Sequence, residues 1–260
     1  MSDEEVGKDE KKVQFVLVHG ASHGGWCWYK IRSLLESDGH KVTCIDLKGA
    51  GIDLTDPNTI LTFSDFNEPL VSFFSSLPQD EKVILVGHSA GGLNITDILH
   101  KFPKKIHVAV YVAAVMSRNG IPANVQRLVG FPERDALDFT YGLGPDKPPT
   151  SVIFKPEYQR PLLYNRSPIE DTTLASMLLR PSPVRPMFDA QFEETTDIDS
   201  IPRVYIKTLD DHLMAEEEHE DMIKQWPPSQ VFALESDHSP FFSTPSQLFG
   251  ILVEASASIK

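Results

Sequence analysis

The tightest constraint on this chain lies at Gly87-His88-Ser89-Ala90-Gly91, a G-x-S-x-G pentapeptide set between two segments of different periodicity. Before it, Lys82-Val83-Ile84-Leu85-Val86 is short, apolar and β-branched, the pattern of a strand buried in a parallel sheet. After it, Leu93, Ile95, Ile98 and Leu99 fall mostly on one helical face. A strand that turns sharply into a helix brings two backbones close together, and Gly87 and Gly91 meet that need because they carry no Cβ. The same turn strains the serine between them and sets its hydroxyl at the edge of the sheet, the arrangement of a nucleophile elbow. A chance serine in a Gly-rich turn is the weaker reading, because it leaves the flanking strand and helix without a reason.

Other strands and helices alternate around this point. Residues 13–18 (VQFVLV) read as a strand that leads into the loop His19-Gly20-Ala21-Ser22-His23-Gly24-Gly25 and a helix over 26–37. Gly39 ends that helix, and residues 41–47 form the next strand. Ser64 is placed to cap a helix over 64–77, with Pro78 just past its end. Residues 106–113 and 204–209 are strands. A helix over 215–226, a strand over 230–234 and a last helix over 244–257 complete the series. Such alternation predicts an α/β fold, a mostly parallel sheet with helices on both faces.

The pattern breaks over 115–201, where prolines interrupt any clean period, among them Pro145, Pro148, Pro149, Pro156, Pro161, Pro168, Pro181, Pro183 and Pro186. The stretch is too long for an ordinary loop and reads as a cap inserted over the site. The core is therefore expected over 13–114 and 202–260, with residues 1–12 (MSDEEVGKDEKK) as a disordered tail.

Composition narrows the classes of function. At 260 residues and 41% hydrophobic content, the chain is long and apolar enough for a soluble α/β core. A net charge of −13 opposes binding to nucleic acid or to an anionic membrane surface. Part of that charge is the run Asp210 to Asp221 (DDHLMAEEEHED), read as a solvated helix face. The two cysteines, Cys27 and Cys44, are expected as buried thiols in a reducing compartment. With no apolar leader and no run of about 18 apolar residues, a cytoplasmic protein is expected.

A serine hydroxyl needs a base to take its proton and an acid to orient that base. In an elbow-bearing sheet those partners follow in the order serine, acid, histidine, each just after a late strand. Two carboxylates follow strand 204–209, Asp210 and Asp211, and the residues alone do not choose between them. One histidine follows strand 230–234, His238. His19 reads as support for the loop after the first strand, and His88 as pointing away from the serine. His40, His100, His107, His212 and His219 read as surface or satisfied core groups. His19 and His23 lie four apart on a strand–loop junction, so no zinc pair and no metal site is expected. Backbone N–H groups of Ala21 and Ala90 are the candidate oxyanion donors. The loop 19–25 lacks both the G-x-G-x-x-G spacing and the lysine of a phosphate loop, so no nucleotide is expected and no cofactor is required.

At this point the motifs resemble those of one family. Phe15-Val16-Leu17-Val18-His19-Gly20-Ala21, His23-Gly24-Gly25-Trp26-Cys27-Trp28-Tyr29-Lys30, Glu81 to Ser89 and Arg203-Val204-Tyr205-Ile206 are similar to the plant methylesterases of the α/β-hydrolase fold. That family includes esterases of methyl indole-acetate, methyl jasmonate and methyl salicylate, polyneuridine aldehyde esterase, and the related hydroxynitrile lyases. The resemblance covers nearly everything from Val13 onward, more loosely in the cap. It implies Ser89 as nucleophile, His238 as base and Asp211 as orienting acid, with Asp210 as the fallback. The lyase branch places a threonine, a cysteine and a lysine where this chain has Ala21, Ala90 and Ser239, which argues against cyanide chemistry here.

The implied activity is hydrolysis of a small methyl ester of plant hormone type, such as methyl indole-acetate or methyl jasmonate, through an acyl-enzyme. An ester hydrolase of alkaloid metabolism and a slow-turnover hormone-binding protein are the alternatives. Val115, Met214 and Ser239 are the candidate pocket residues. A homodimer is expected from the resemblance alone.

Overall fold

The computed structural model describes residues 12–121, 134–193, 195 and 197–257. Six strands form one parallel sheet: β1 (Gln14–Val18), β2 (Lys41–Ile45), β3 (Val83–His88), β4 (Ile106–Val112), β8 (Arg203–Thr208) and β9 (Gln230–Leu234). Their order is β2-β1-β3-β4-β8-β9. After β1 the chain moves to one side and then returns to the other, so the winding reverses between β1 and β3. Crevices open at the carboxyl ends of strands where the winding reverses, because the loops on either side part in opposite directions. β1 and β3 are buried along their whole length, as strands covered by helices on both faces must be.

Ser89 follows β3 at that switch point with φ of 54°. The helix after it, Gly91–Lys101, is buried from Gly91 to Leu99, and its first turn crosses the end of β1. A Cβ on Gly91 would come within 2.4 Å of the His19 carbonyl oxygen, and one on Gly20 within 2.7 Å of the Ser89 Cβ. Both glycines are thus required by close approach, Gly91 to backbone and Gly20 to the serine itself.

Three local expectations change. The helix expected over 64–77 is two helices, Phe63–Phe66 and Glu68–Ser76, and its cap is Thr62, whose hydroxyl accepts from the Asp65 N–H. Pro69 lies in the first turn of the second helix, where a missing N–H costs nothing. The second strand stops at Ile45, because the Leu47 N–H bonds to His19 Nε2. The helix expected over 26–37 starts as a 3-10 turn, Gly25–Trp28, and becomes α-helical at Tyr29.

The segment between β4 and β8 carries more order than its prolines suggested. Strands β5 (Leu137–Thr140), β6 (Ser151–Phe154) and β7 (Ser182–Pro183) make a small antiparallel sheet, accompanied by helices Pro156–Leu163, Ile169–Leu178 and Arg185–Phe188. Pro156 and Pro186 sit in first turns and so begin helices instead of breaking them. The strands are too short to show a period in sequence. Of the expected disordered tail, residues 1–11 lie outside the described residues, while Lys12 bonds to the Asp38 carbonyl. No helix among the described residues is long and apolar enough to cross a membrane.

Candidate active site

Four loops meet at the carboxyl edge of the sheet. β1 leads to Ala21, β3 to Ser89 and Ala90, β8 to Asp211 and β9 to His238. His238 Nε2 lies 2.9 Å from Ser89 Oγ, and its Nδ1 lies 2.8 Å from Asp211 Oδ2. Ser89, Asp211 and His238 are thus in one hydrogen-bonded line. Asp211 can only accept, so His238 carries its proton on Nδ1 and turns a bare Nε2 toward the serine. That is the tautomer a proton acceptor needs.

The residue pair left open in sequence separates clearly in space. The Asp211 side chain is buried and accepts from Thr208 Oγ1 at 2.8 Å and from the Leu213 and Met214 N–H groups at 2.9 Å each. Burial alone would raise its pKa, but His238, His219 and these N–H donors outweigh it and hold the carboxyl well below the usual carboxylate range. Asp210 is 42% exposed and faces Arg166. It does not reach His238.

His88 corrects an expectation. Instead of turning away from the serine, it lines the cavity, lies tilted against the His238 ring with centroids 4.8 Å apart and donates from Nε2 to the His238 carbonyl at 2.7 Å. His19 spends one nitrogen on the Gly20 carbonyl and the other on the Leu47 N–H. His23 bonds the Ala21 carbonyl and the Tyr164 hydroxyl. Both rings are committed to protein partners. His219 is buried, with Nδ1 on the Tyr205 hydroxyl and Nε2 3.8 Å from Asp211 Oδ2.

These buried imidazoles have a consequence for stability. Burial pushes His23 down to about 3 and lowers His19 and His88 as well. Each is neutral in the folded protein, while in the unfolded chain it takes a proton below about pH 6.5. Between that pH and the depressed folded value, the unfolded state binds more protons, so stability falls as pH falls. The loss is about 1.4 kcal/mol per pH unit for each such histidine. Urea midpoints are expected to drop steeply between about pH 6.5 and 5. A midpoint constant across that window would show that these rings are not held neutral.

The cavity in front of Ser89 has a volume of about 70 Å³ and is almost wholly apolar. Ala21 and Ala90 line it, and neither N–H has a protein acceptor among the described residues. Val115 and Met214 line it as expected. Ser239 does not: it is fully buried at the start of the short helix Pro240–Ser243, with its N–H on Asp237 Oδ1. Sequence reasoning missed Phe154, Leu163 and Met187, which reach the cavity from the inserted segment, and Leu213 beside the acid. No periodicity marked them. Among the described residues, no cluster of metal-ligating side chains is present.

The pattern of the alpha/beta hydrolase family matches residues 15–250. Methylesterase 17 of Arabidopsis thaliana is 48% identical over 98% of this chain and 95% of its own length. Pheophorbidase of Raphanus sativus is 47% identical over 96% and 97%. This chain belongs to the plant methylesterases, within the alpha/beta hydrolase family. The crystal structure of methylesterase MES16 from Arabidopsis superposes with a TM-score of 0.87 at 46% identity, covering 95% of this chain and 99% of that one. The methylesterase described here is accordingly a carboxylic ester hydrolase, and its Ser89 and His238 line an apolar cavity at the elbow, with Asp211 behind the histidine.

Proposed function

We propose that this methylesterase hydrolyses methyl esters of small, apolar carboxylic acids of the methyl indole-acetate or methyl jasmonate kind, through an acyl-enzyme on Ser89. The observation that carries the reading is the unbroken line from Asp211 through His238 to Ser89, ending at an apolar cavity. His238 Nε2 takes the hydroxyl proton as Ser89 Oγ bonds to the ester carbonyl carbon. The carbonyl oxygen becomes an oxyanion held by the Ala21 and Ala90 N–H groups. The carbon–methoxy bond then breaks, and methanol leaves with the proton from His238. Water enters, gives a proton to the same nitrogen and attacks the acyl carbon; the bond to Ser89 breaks and the serine regains its proton. Asp211 keeps the imidazole in one tautomer and stabilises its cation.

The choice of acyl group rests on the cavity wall. Phe154, Leu163, Met187, Val115 and Met214 supply only apolar surface, and the polar groups are confined to the reacting end. Among the described residues no lysine or arginine lines it, so a neutral ester fits this wall better than a free acid. Methanol release should be measured on methyl indole-acetate, methyl jasmonate, methyl salicylate and pheophorbide. Turnover of a small ester with pheophorbide inert supports the reading, whereas preference for pheophorbide overturns the acyl assignment.

A further inference from the structure

The connector 164–168 touches, through residues 164–167, three of the four loops that bring a group to the site. It joins helices Pro156–Leu163 and Ile169–Leu178 of the inserted segment. The Tyr164 hydroxyl is 2.6 Å from His23 Nε2, and His23 Nδ1 is 2.8 Å from the Ala21 carbonyl oxygen. A carbonyl only accepts, so Nδ1 carries the hydrogen and Nε2 is the acceptor for Tyr164. Asn165 donates to the Asp210 carbonyl at 3.1 Å, on the loop that carries Asp211. The Arg166 N–H and the Ser167 hydroxyl donate to Asp237 Oδ2 at 2.9 and 2.8 Å, beside His238.

The loop after β1 has particular need of this grip. Ser22 stands at φ of 63°, a left-handed conformation that a serine rarely adopts without outside support. Its N–H donates to Ser182 Oγ at 2.6 Å and its carbonyl accepts from the Arg180 N–H at 3.0 Å, both from the inserted segment. On the other side, His19 Nδ1 holds the Gly20 carbonyl at 2.8 Å. The planar peptide units on both sides of Ala21 are therefore each tied through a carbonyl to an imidazole, one from the core and one braced by the cap. Burial pushes His23 down to about 3, so the ring is neutral near pH 7 and accepts from Tyr164 there.

We infer that Tyr164 is a positioning residue for the oxyanion hole: through His23 it fixes the Ala21–Ser22 peptide, and with it the Ala21 Cα that orients the adjoining peptide and its N–H. The inference rests on the reading above that the Ala21 N–H receives the oxyanion. A donor misplaced by a fraction of an ångström loses transition-state stabilisation while substrate binding is barely touched.

Tyr164→Phe tests it, because the ring that packs on His23 and Phe242 remains and only the hydroxyl is lost. The expected result is a fall in kcat of about tenfold to hundredfold with KM within about twofold, less than the loss of a donor outright. Affinity for a boronic acid that forms a tetrahedral adduct on serine should fall by the same factor, while affinity for the product acid holds. A kcat within about twofold of wild type, with only the melting temperature lowered, would mean a structural hydroxyl and overturn the inference. A raised KM at unchanged kcat would overturn it too. Should Tyr164→Phe fail to fold, Ser182→Ala, which strips the acceptor from the Ser22 N–H, decides on the same readouts. If wild-type turnover proves independent of Ser89, the reading of the site has failed; if it depends on Ser89 while Tyr164→Phe is indifferent, only this inference has.

Discussion

Ser89→Ala is expected to lower methanol release by on the order of 10⁶, to near the background of the site without its nucleophile. The size follows from the way the three groups act. His238 has no proton to take once the hydroxyl is gone, so removing the serine also idles the base and the acid. Binding should survive. The hydroxyl meets the cavity at its reacting end only, and the apolar wall from Val115, Phe154, Leu163 and Met214 is untouched. Affinity for the product acid, measured by calorimetry, should therefore stay within about threefold of wild type. Turnover retained above a hundredth of the wild-type value would sink the acyl-enzyme and move the chemistry to another group. Product binding with no turnover in the wild type itself would instead favour a slow-turnover binding protein.

Asp211→Asn should cost about 10⁴ in kcat with little change in KM. Asp211 accepts four hydrogen bonds: two backbone N–H groups on Oδ1, and the Thr208 hydroxyl and His238 on Oδ2. An asparagine has one acceptor oxygen. If that oxygen stays on the Leu213 and Met214 N–H groups, the amide turns its own N–H toward His238 and selects the opposite tautomer, with the proton facing Ser89. If it turns the other way, two buried N–H groups lose their acceptor and stability falls by about 1–3 kcal/mol each. Asp210→Asn is the matched control. Its half-exposed carboxylate faces Arg166 across 3.6 Å, an interaction that contributes little in water, so activity should change by less than about threefold. Equal losses in the two variants would remove the assignment of the acid.

How far each group was legible in sequence depended on how local its cause was. Ser89 could be read because everything that defines an elbow lies within about ten residues: the apolar strand, the glycines and the helix. His238 could be read because chain order and a preceding strand restrict the base to one place. The sequence did not separate Asp210 from Asp211 on residues alone. Adjacent residues on one loop differ only in which way they face, and that is set by the Leu213 and Met214 N–H groups folding back onto Asp211.

The inserted segment was the least legible. Its strands are two to four residues long, below the length at which a period of two shows, and its prolines looked like breakers where two, Pro156 and Pro186, in fact start helices. His88 was misread because position in a pentapeptide says nothing about a carbonyl 150 residues away. Ser239 was placed in the pocket by the resemblance, at the position of the lyase branch's lysine, and instead lies fully buried at the start of the helix Pro240–Ser243.

What the sequence by itself determined is the parallel core, the elbow and the chain order of serine, acid and base, because each is written in periodicity or in glycines that no other residue can replace. What only the tertiary structure decided is which carboxylate faces the imidazole, which apolar side chains close the cavity, and how residues 164–167 bind the loops together. Those contacts join residues about 30 to 150 positions apart. Their partners are chosen by packing, and packing leaves no period in the chain.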